Sequence, residues 1–199
     1  MVGKSHLLVG LTAGVVLDSV AQISGPHLVG SNNIQLSLVI SKALYYFMVG
    51  FGALLPDIDN ARSTMGKKLG WVSKEIQHLV GHRTLFHSFL GLGVGAAIAV
   101  GLEKFAEYLL LSRGYTIPVR IIDRTHMVLI AVLFGCLMHI AADALTIEGV
   151  PLLWPMHKYF GFPPNRHWRF RTGTWPEYVI VYGFMLLVGL GIYYSVFTV

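Results

Sequence analysis

Charged residues and cysteine are both scarce in this 199-residue chain. Asp, Glu, Lys and Arg make up 13% of the residues, whereas 54% are hydrophobic. This balance lies outside the usual range of soluble domains and predicts an integral membrane protein. Cys136 is the one cysteine, which excludes an intrachain disulfide. The net charge of +5 in such a protein reflects topology more often than nucleic-acid binding, so we expect no specific nucleic-acid partner.

Five apolar stretches are long enough to cross a bilayer, which requires about 20 residues. They cover residues 6–24, 34–56, 86–111, 125–147 and 177–198. The first is the weakest because Asp18 interrupts it, and four spans with a re-entrant first helix are the alternative. It has no clean small-residue cleavage pattern, so we expect mature structure rather than a signal peptide. The sequence predicts an all-α, polytopic membrane bundle that forms a single domain over residues 1–199.

Lys and Arg are unevenly distributed between the two faces that five spans define. The loops 57–85 and 148–176 lie on the face of the N-terminus and contain nine of these residues, against three on the other face. By the positive-inside rule the richer face is cytoplasmic. We therefore expect a cytoplasmic N-terminus and a C-terminus on the opposite side of the membrane.

His139 and Asp143 lie four residues apart inside an apolar stretch. Residues at this spacing share a helix face, so both side chains can point at one ion. An unpaired carboxylate in a buried apolar segment is costly, and a metal ion is one of few partners that offset the cost. The pair therefore indicates a metal site.

Two further clusters fall on the same predicted face. Asp57 and Asp59 follow the second span, and His82 and His87 precede or open the third. A lone Asp at a helix end is usually a cap, but two carboxylates separated by one residue can bind one or two cations. His6, at the head of the first span, gains weight as a ligand because it lies on this face.

Two other charged side chains belong to this face by position. Arg83 lies between the two histidines and has the planar donor fork that binds phosphate or carboxylate. Glu177 opens the last span. We interpret Arg83 as an anion-binding residue and Glu177 as an additional metal ligand or base.

Asp18 and Lys42 are predicted to lie at similar depth on consecutive antiparallel spans, about 20 Å from the motif face. Each charge alone would be costly there, so we hypothesise a buried ion pair. The alternative is that Lys42 extends to the opposite surface.

These motifs resemble those of the YdjM-like family of bacterial inner-membrane proteins, which are regarded as metal-dependent hydrolases. The resemblance rests on Ser5-His6 with Gly10, residues 52–59, His82-Arg83 with His87-Ser88, and residues 139–155. The chain departs from the family at Ser5 and Phe86, where Thr is usual, and at Asn60, where His is frequent. The family is distantly similar to the zinc-dependent phospholipase C and single-strand nuclease group, helical proteins that cleave phosphoesters.

The resemblance implies hydrolysis of a small-molecule or lipid phosphoester at the cytoplasmic surface of the inner membrane, with the lipid bilayer as the constant partner. The implied ligands of a divalent metal are His6, Asp57, Asp59, His82, His87, His139 and Asp143. Histidine and carboxylate together suit zinc best, with manganese or iron as alternatives. Asp59 would act as base, and Arg83, assisted by Arg166, Arg169 and Arg171, would bind the phosphate.

A metal-binding membrane protein without catalytic activity, in transport or sensing, is the competing interpretation. A transport site should lie near mid-membrane with access from both faces. A structural metal site is closed, whereas a catalytic one keeps an open position. A scaffold without metal would require the clustered His and Asp residues to meet at one face by accident.

Overall fold

Seven α-helices form within residues 1–25, 34–81, 83–156 and 158–197, which the computed structural model describes. They are α1 Gly3–Ala21, α2 Ile34–Leu54, α3 Thr64–Leu69, α4 Trp71–Val80, α5 Phe89–Ser112, α6 Val119–Ala144 and α7 Trp175–Phe197. The described residues contain no regular strand. Two isolated bridges, Thr146 with Phe170 and Val150 with Phe160, fold the segment between α6 and α7. The predicted all-α class is confirmed.

Four helices are long and apolar enough to cross a membrane: Gly3–Ala21, Leu36–Asp59, Phe89–Ser112 and Ile121–Ala144. The fifth predicted span coincides with α7, in which Trp175–Leu190 is a shorter apolar helix. The chain is thus a helical membrane bundle. Helix α6 begins at Val119, six residues before the predicted start, because its first turns carry polar residues that interrupt the apolar pattern.

Helices α2 and α6 cross closely at two glycines. A methyl group added to Gly52 would lie 2.2 Å from the carbonyl oxygen of Val132, and one added to Gly135 would lie 2.2 Å from that of Val49. The crossing therefore requires the absence of a side chain at both positions. Tyr45 and Met127 pack in the core beside it. This contact fixes the end of α2 against the end of α6, where the polar motifs lie.

The remaining long helices surround this pair. Helix α1 packs against α2, α6 and α7. A second apolar cluster joins Met1, Ala142, Phe170 and Val181 at the motif end of the bundle. Helix α5 is peripheral, and none of its described residues is buried.

The hypothesised ion pair between Asp18 and Lys42 is wrong. The Asp18 carboxylate accepts hydrogen bonds from the Ser24 N–H at 2.8 Å, the Ser24 hydroxyl at 2.6 Å and the Tyr46 hydroxyl at 3.3 Å. Lys42 is exposed, and no ion pair joins it to Asp18 within the described parts of the chain. Local donors next to the helix end satisfy the carboxylate without a long cationic side chain.

Candidate metal centre

Helix ends bring the polar motifs together at one end of the bundle. His6 lies in the first turn of α1, Asp57 in the 3-10 turn that follows α2, and His87 in the 3-10 turn before α5. His139 and Asp143 lie in the last turns of α6. Side chains from four separate segments of the chain thus meet in a single buried cluster.

Within the described residues, two groups have the geometry to hold a metal ion. One is His6, His139 and Asp143, and the other is Asp57, His87 and His139. In each group the ligand atoms lie within 4.8 Å of one another, and every member is buried. His139 belongs to both groups and is the centre of the arrangement.

The hydrogen bond of His139 fixes which nitrogen faces the cluster. Its Nδ1 lies 2.8 Å from the carbonyl oxygen of Ala53, which can only accept, so Nδ1 carries the proton. Nε2 of the neutral ring then presents its lone pair to the cluster. It lies 3.8 Å from Asp143 Oδ2 and 3.9 Å from Asp57 Oδ1. This orientation is typical of a metal-binding histidine.

His87 approaches His139 in the same manner. Its Nδ1 lies 3.3 Å from Asp59 Oδ2, and its Nε2 lies 3.2 Å from Nε2 of His139. The two Nε2 atoms thus lie beside the Asp57 and Asp143 carboxylates. Imidazole nitrogens and carboxylate oxygens are common ligands of divalent metal ions, so the donor set fits such an ion.

His6 supports the same conclusion. Its ring stacks on that of His139 with centroids 3.6 Å apart and an interplanar angle of 14°. Both ring nitrogens are buried, and neither has a hydrogen-bond partner among the described residues. Nε2 lies 3.2 Å from Asp143 Oδ1. A buried imidazole without hydrogen bonds is costly, and a metal ligand bond would satisfy it.

Asp143 has close polar neighbours from several parts of the chain. Besides the histidines, its Oδ2 lies 3.1 Å from Nη2 of Arg83, and its Oδ1 contacts the amino group of Met1. The hydroxyl of Thr146 donates to the Asp143 carbonyl at 2.7 Å just beyond the end of α6. Cationic and imidazole groups thus surround a carboxylate that is 1% exposed.

Asp59 lies outside both ligand groups. It is fully buried, and its Oδ2 accepts the backbone N–H of Arg83 at 3.1 Å and faces Nδ1 of His87. This position is typical of a carboxylate that orients a histidine. The role of Asp59 as ligand and base stays a prediction.

The guanidinium group of Arg83 binds two carboxylates in this structure. Its Nη1 lies 2.5 Å from Glu148 Oε2 and 3.5 Å from the carbonyl oxygen of Gly149, while Nη2 binds Asp143. Its backbone φ of 54° is left-handed, which is uncommon for a residue with a side chain. The bonds to Asp59, Asp143 and Glu148 hold Arg83 in this conformation at the edge of the cluster.

Glu177 also lies outside both groups. It is fully buried, and its two oxygens accept the backbone N–H groups of Val2 and Gly173, each at 2.8 Å. These bonds tie the segment before α1 to the start of α7. The geometry therefore gives Glu177 a positioning role toward the segment that carries His6. His82, also predicted as a ligand, lies outside the described residues.

A polar cleft of about 580 Å³ opens above the cluster. Its polar lining is Asp57, Asn60, Arg62, Ser63, Thr64, Lys67, Arg83, Glu148 and Thr172. Arg62 and Lys67 were interpreted in the sequence only as topology signals, although their positive charge marked this surface. Arg169, in contrast, donates to the carbonyl oxygens of Pro163 and Pro164 at 2.7 and 2.9 Å and is occupied within its own loop.

Comparison with known proteins extends the sequence resemblance. A family model described as "YdjM inner membrane protein" matches residues 1–198. The inner membrane protein YdjM of Escherichia coli (strain K12) is 32% identical over 166 residues, 82% of this chain and 70% of that protein. The YdjM protein of Shigella flexneri gives the same values. The protein YvsG of Bacillus subtilis (strain 168) is 28% identical over 135 residues, 68% of this chain and 69% of that protein.

No solved structure matches this chain. The family model covers nearly its whole length, and the buried His and Asp groups lie in the segments that carried the resemblance. The chain belongs to the YdjM family of inner membrane proteins.

Proposed function

We propose that this protein is a membrane-bound, metal-dependent hydrolase of a phosphoester. The observation that carries the proposal is the pair of imidazole Nε2 atoms, of His87 and His139, that face each other 3.2 Å apart among buried carboxylates. They lie beneath a cleft lined by basic side chains. Metal-assisted phosphoester cleavage requires two components, a set of metal ligands and a surface beside it that binds the phosphate.

The residues that would hold the metal are His6, Asp57, His87, His139 and Asp143. Their mixture of imidazole and carboxylate groups favours zinc, with manganese or iron as alternatives. A divalent ion held there would lower the pKa of a bound water to about 7 and polarise a phosphoryl oxygen. Asp59 would keep the His87 ring oriented, as carboxylates do for metal-binding histidines.

The chain's own residues would bind the substrate and move the proton. Arg62 and Lys67 line the cleft and would bind the phosphate oxygens, beside Arg83, whose guanidinium is held by Asp143 and Glu148. The water oxygen would attack phosphorus as the P–O bond to the leaving group breaks, and the departing oxygen would take up the proton that the attacking water gives up. Asp57 belongs to a ligand group and also lines the cleft, so its carboxylate is suited to receive the proton of the attacking water.

We infer further that the cleft faces the cytoplasm. The basic loop that contains Arg62 and Lys67 lies at the motif end of the bundle, and the positive-inside rule assigns such loops to the cytoplasm. The N-terminus would then be cytoplasmic and the C-terminus on the opposite side of the inner membrane.

A phosphoesterase assay tests the proposal. Zinc-loaded wild type in detergent should hydrolyse bis(p-nitrophenyl) phosphate or p-nitrophenyl phosphate, and EDTA should remove this activity. Asp143→Ala should lose it, whereas Asp123→Ala, near the other end of α6, should retain it. Hydrolysis that survives EDTA and Asp143→Ala would contradict the proposed mechanism.

Burial favours one alternative, a metal-binding protein that senses or transports without hydrolysis. His6, His87 and His139 are each at most 1% exposed, as in closed structural sites. A closed site should exchange zinc slowly. When cobalt is substituted for the zinc, its visible spectrum should be that of a four-coordinate ion, and added phosphate should not alter it. A spectrum that shifts on addition of phosphate would favour the open, hydrolytic site.

A further inference from the structure

We propose that the substrate is a long-chain lipid phosphoester whose acyl chain lies in an apolar groove between α1, α6 and α7. This inference rests on the proposed function, because it names the substrate class of the same site. The groove has a volume of about 490 Å³. Its apolar lining includes Val9, Ala141, Leu145, Ile180, Val181 and Phe184.

The groove and the polar cleft adjoin each other. Met1, which is 6% exposed, lines both of them, so the two spaces meet at this residue. Ala142 and Ala144 also line the groove, and they flank Asp143 of the metal cluster in sequence. A molecule with an anionic head in the cleft and an apolar tail in the groove would therefore pass beside the ligand groups.

The groove is open to the region that lipid tails occupy. Ala141 and Ile180 are exposed, and they belong to helices α6 and α7 within or next to the apolar segments. The Phe162 N–H donates to the Ala144 carbonyl at 2.8 Å, so the loop before α7 covers the groove at the motif end. A lipid tail can enter sideways from the bilayer while its head remains at the membrane surface.

Charge complementarity selects the head group. The acidic residues of the cleft are Asp57, a proposed metal ligand, and Glu148, which pairs with Arg83. The positive charge of Arg62 and Lys67 in the same cleft suits a phosphate better than a neutral or cationic head. A second apolar groove, lined by Pro56, Phe86 and residues of α5 and α6, has a volume of about 210 Å³. Within the described residues it shares no lining residue with the polar cleft, so it lacks the connection to a head-group site.

Two phosphonates that share one head group test the inference by binding alone. Zinc-loaded protein in lipid nanodiscs is titrated by calorimetry with hexadecylphosphonate and with ethylphosphonate, and the ratio of their Kd values is compared between variants. Ala141→Trp fills the groove, and Ala97→Trp adds the same bulk at an exposed position of α5 outside both grooves. Because each variant is measured in the same nanodiscs, partitioning of the long chain into lipid cancels.

We expect Ala141→Trp to reduce the preference for hexadecylphosphonate by about tenfold or more, which corresponds to about 1.4 kcal/mol or more of lost contact between the chain and the groove. Ala97→Trp should keep the wild-type ratio. If Ala141→Trp fails to fold, Ile180→Trp with Leu187→Trp as its control makes the same comparison. Ile180 lines the groove, whereas Leu187 is an exposed residue of the same helix outside it.

Two results would overturn the inference, and they differ in what they say about the proposed function. Ethylphosphonate binding with an unchanged ratio in both groove variants would remove the acyl-chain site and leave the phosphoester site intact. Failure of zinc-loaded wild type to bind either phosphonate would remove the phosphoester site, and the lipid inference with it.

Discussion

Nε2 of His139 lies 3.2 Å from Nε2 of His87, although 52 residues separate them in the chain. Each ring has its other nitrogen next to a fixed acceptor, the Ala53 carbonyl for His139 and the Asp59 carboxylate for His87. The two Nε2 atoms are thereby directed at each other and at the Asp143 carboxylate. This relationship defines the candidate metal centre.

Asp59→Asn should weaken metal binding without abolishing it. Because Asp59 faces His87 Nδ1 rather than the ligand atoms, its loss should reduce affinity by about 10- to 100-fold, as for other residues that orient ligands. Zinc affinity is measured by competition with a chromophoric chelator. The neighbouring Asn60→Ala serves as the control. Complete loss of zinc in Asp59→Asn would instead make Asp59 a ligand.

Glu177→Ala should lower stability. It leaves the N–H groups of Val2 and Gly173 without their acceptor, at a cost of about 1–3 kcal/mol for each group that water cannot reach. Thermal unfolding in detergent should show a reduced Tm relative to Glu75→Ala, an exposed position on α4. The folded Glu177→Ala protein should still bind zinc stoichiometrically. An unchanged Tm with lost zinc would restore the predicted role of Glu177 as a ligand.

Gly52→Ala and Gly135→Ala should each destabilise the crossing of α2 and α6. The added methyl group would lie 2.2 Å from a backbone oxygen, and relief of such overpacking typically costs about 1–3 kcal/mol. Gly93→Ala is the matched control, since its methyl group would meet no described atom within 4 Å. The free energy of unfolding of Gly93→Ala should be unchanged or should rise by about 0.5–1 kcal/mol, because alanine favours a helix such as α5 more than glycine does. Equal unfolding curves for the three variants would contradict the close crossing.

Reporter fusions test the proposed orientation. Alkaline phosphatase, which is active only outside the cytoplasm, should be active when fused after Arg113, between α5 and α6. It should be inactive when fused after Lys68, in α3 beside the cleft. The opposite pattern would place the cleft on the outer face of the inner membrane and contradict the inferred cytoplasmic site.

Much of the fold could be predicted from the sequence because apolar runs of bilayer length define helices directly. The predicted 34–56 and 86–111 differ by at most three residues from α2, Ile34–Leu54, and α5, Phe89–Ser112. The shared orientation of His139 and Asp143 followed from helical spacing alone. The convergence of His6, Asp57 and His87 on that pair followed from placing every motif at one face.

The sequence could not show which polar groups bind each other across the fold. Glu177 binds the backbone of Val2, 175 residues away, and no local pattern marks that contact. Asp59 follows Asp57 by only two residues, yet its carboxylate faces Nδ1 of His87, the nitrogen that points away from His139. Asp18 is satisfied by Ser24, whose hydroxyl offered no signal against the more conspicuous charge of Lys42. Ligand, orienting and positioning roles depend on distances that only the packed helices define.

Metal content tests the central claim most directly. Elemental analysis of detergent-purified wild type is compared with Asp57→Ala and Asp143→Ala, with Asp123→Ala as the control outside the cluster. The account predicts stoichiometric zinc, or another divalent transition metal, in wild type and Asp123→Ala, and its loss from both cluster variants. Folded wild type that binds no metal even after reloading would contradict the account, and the buried His and Asp cluster would then have to be explained by structure alone.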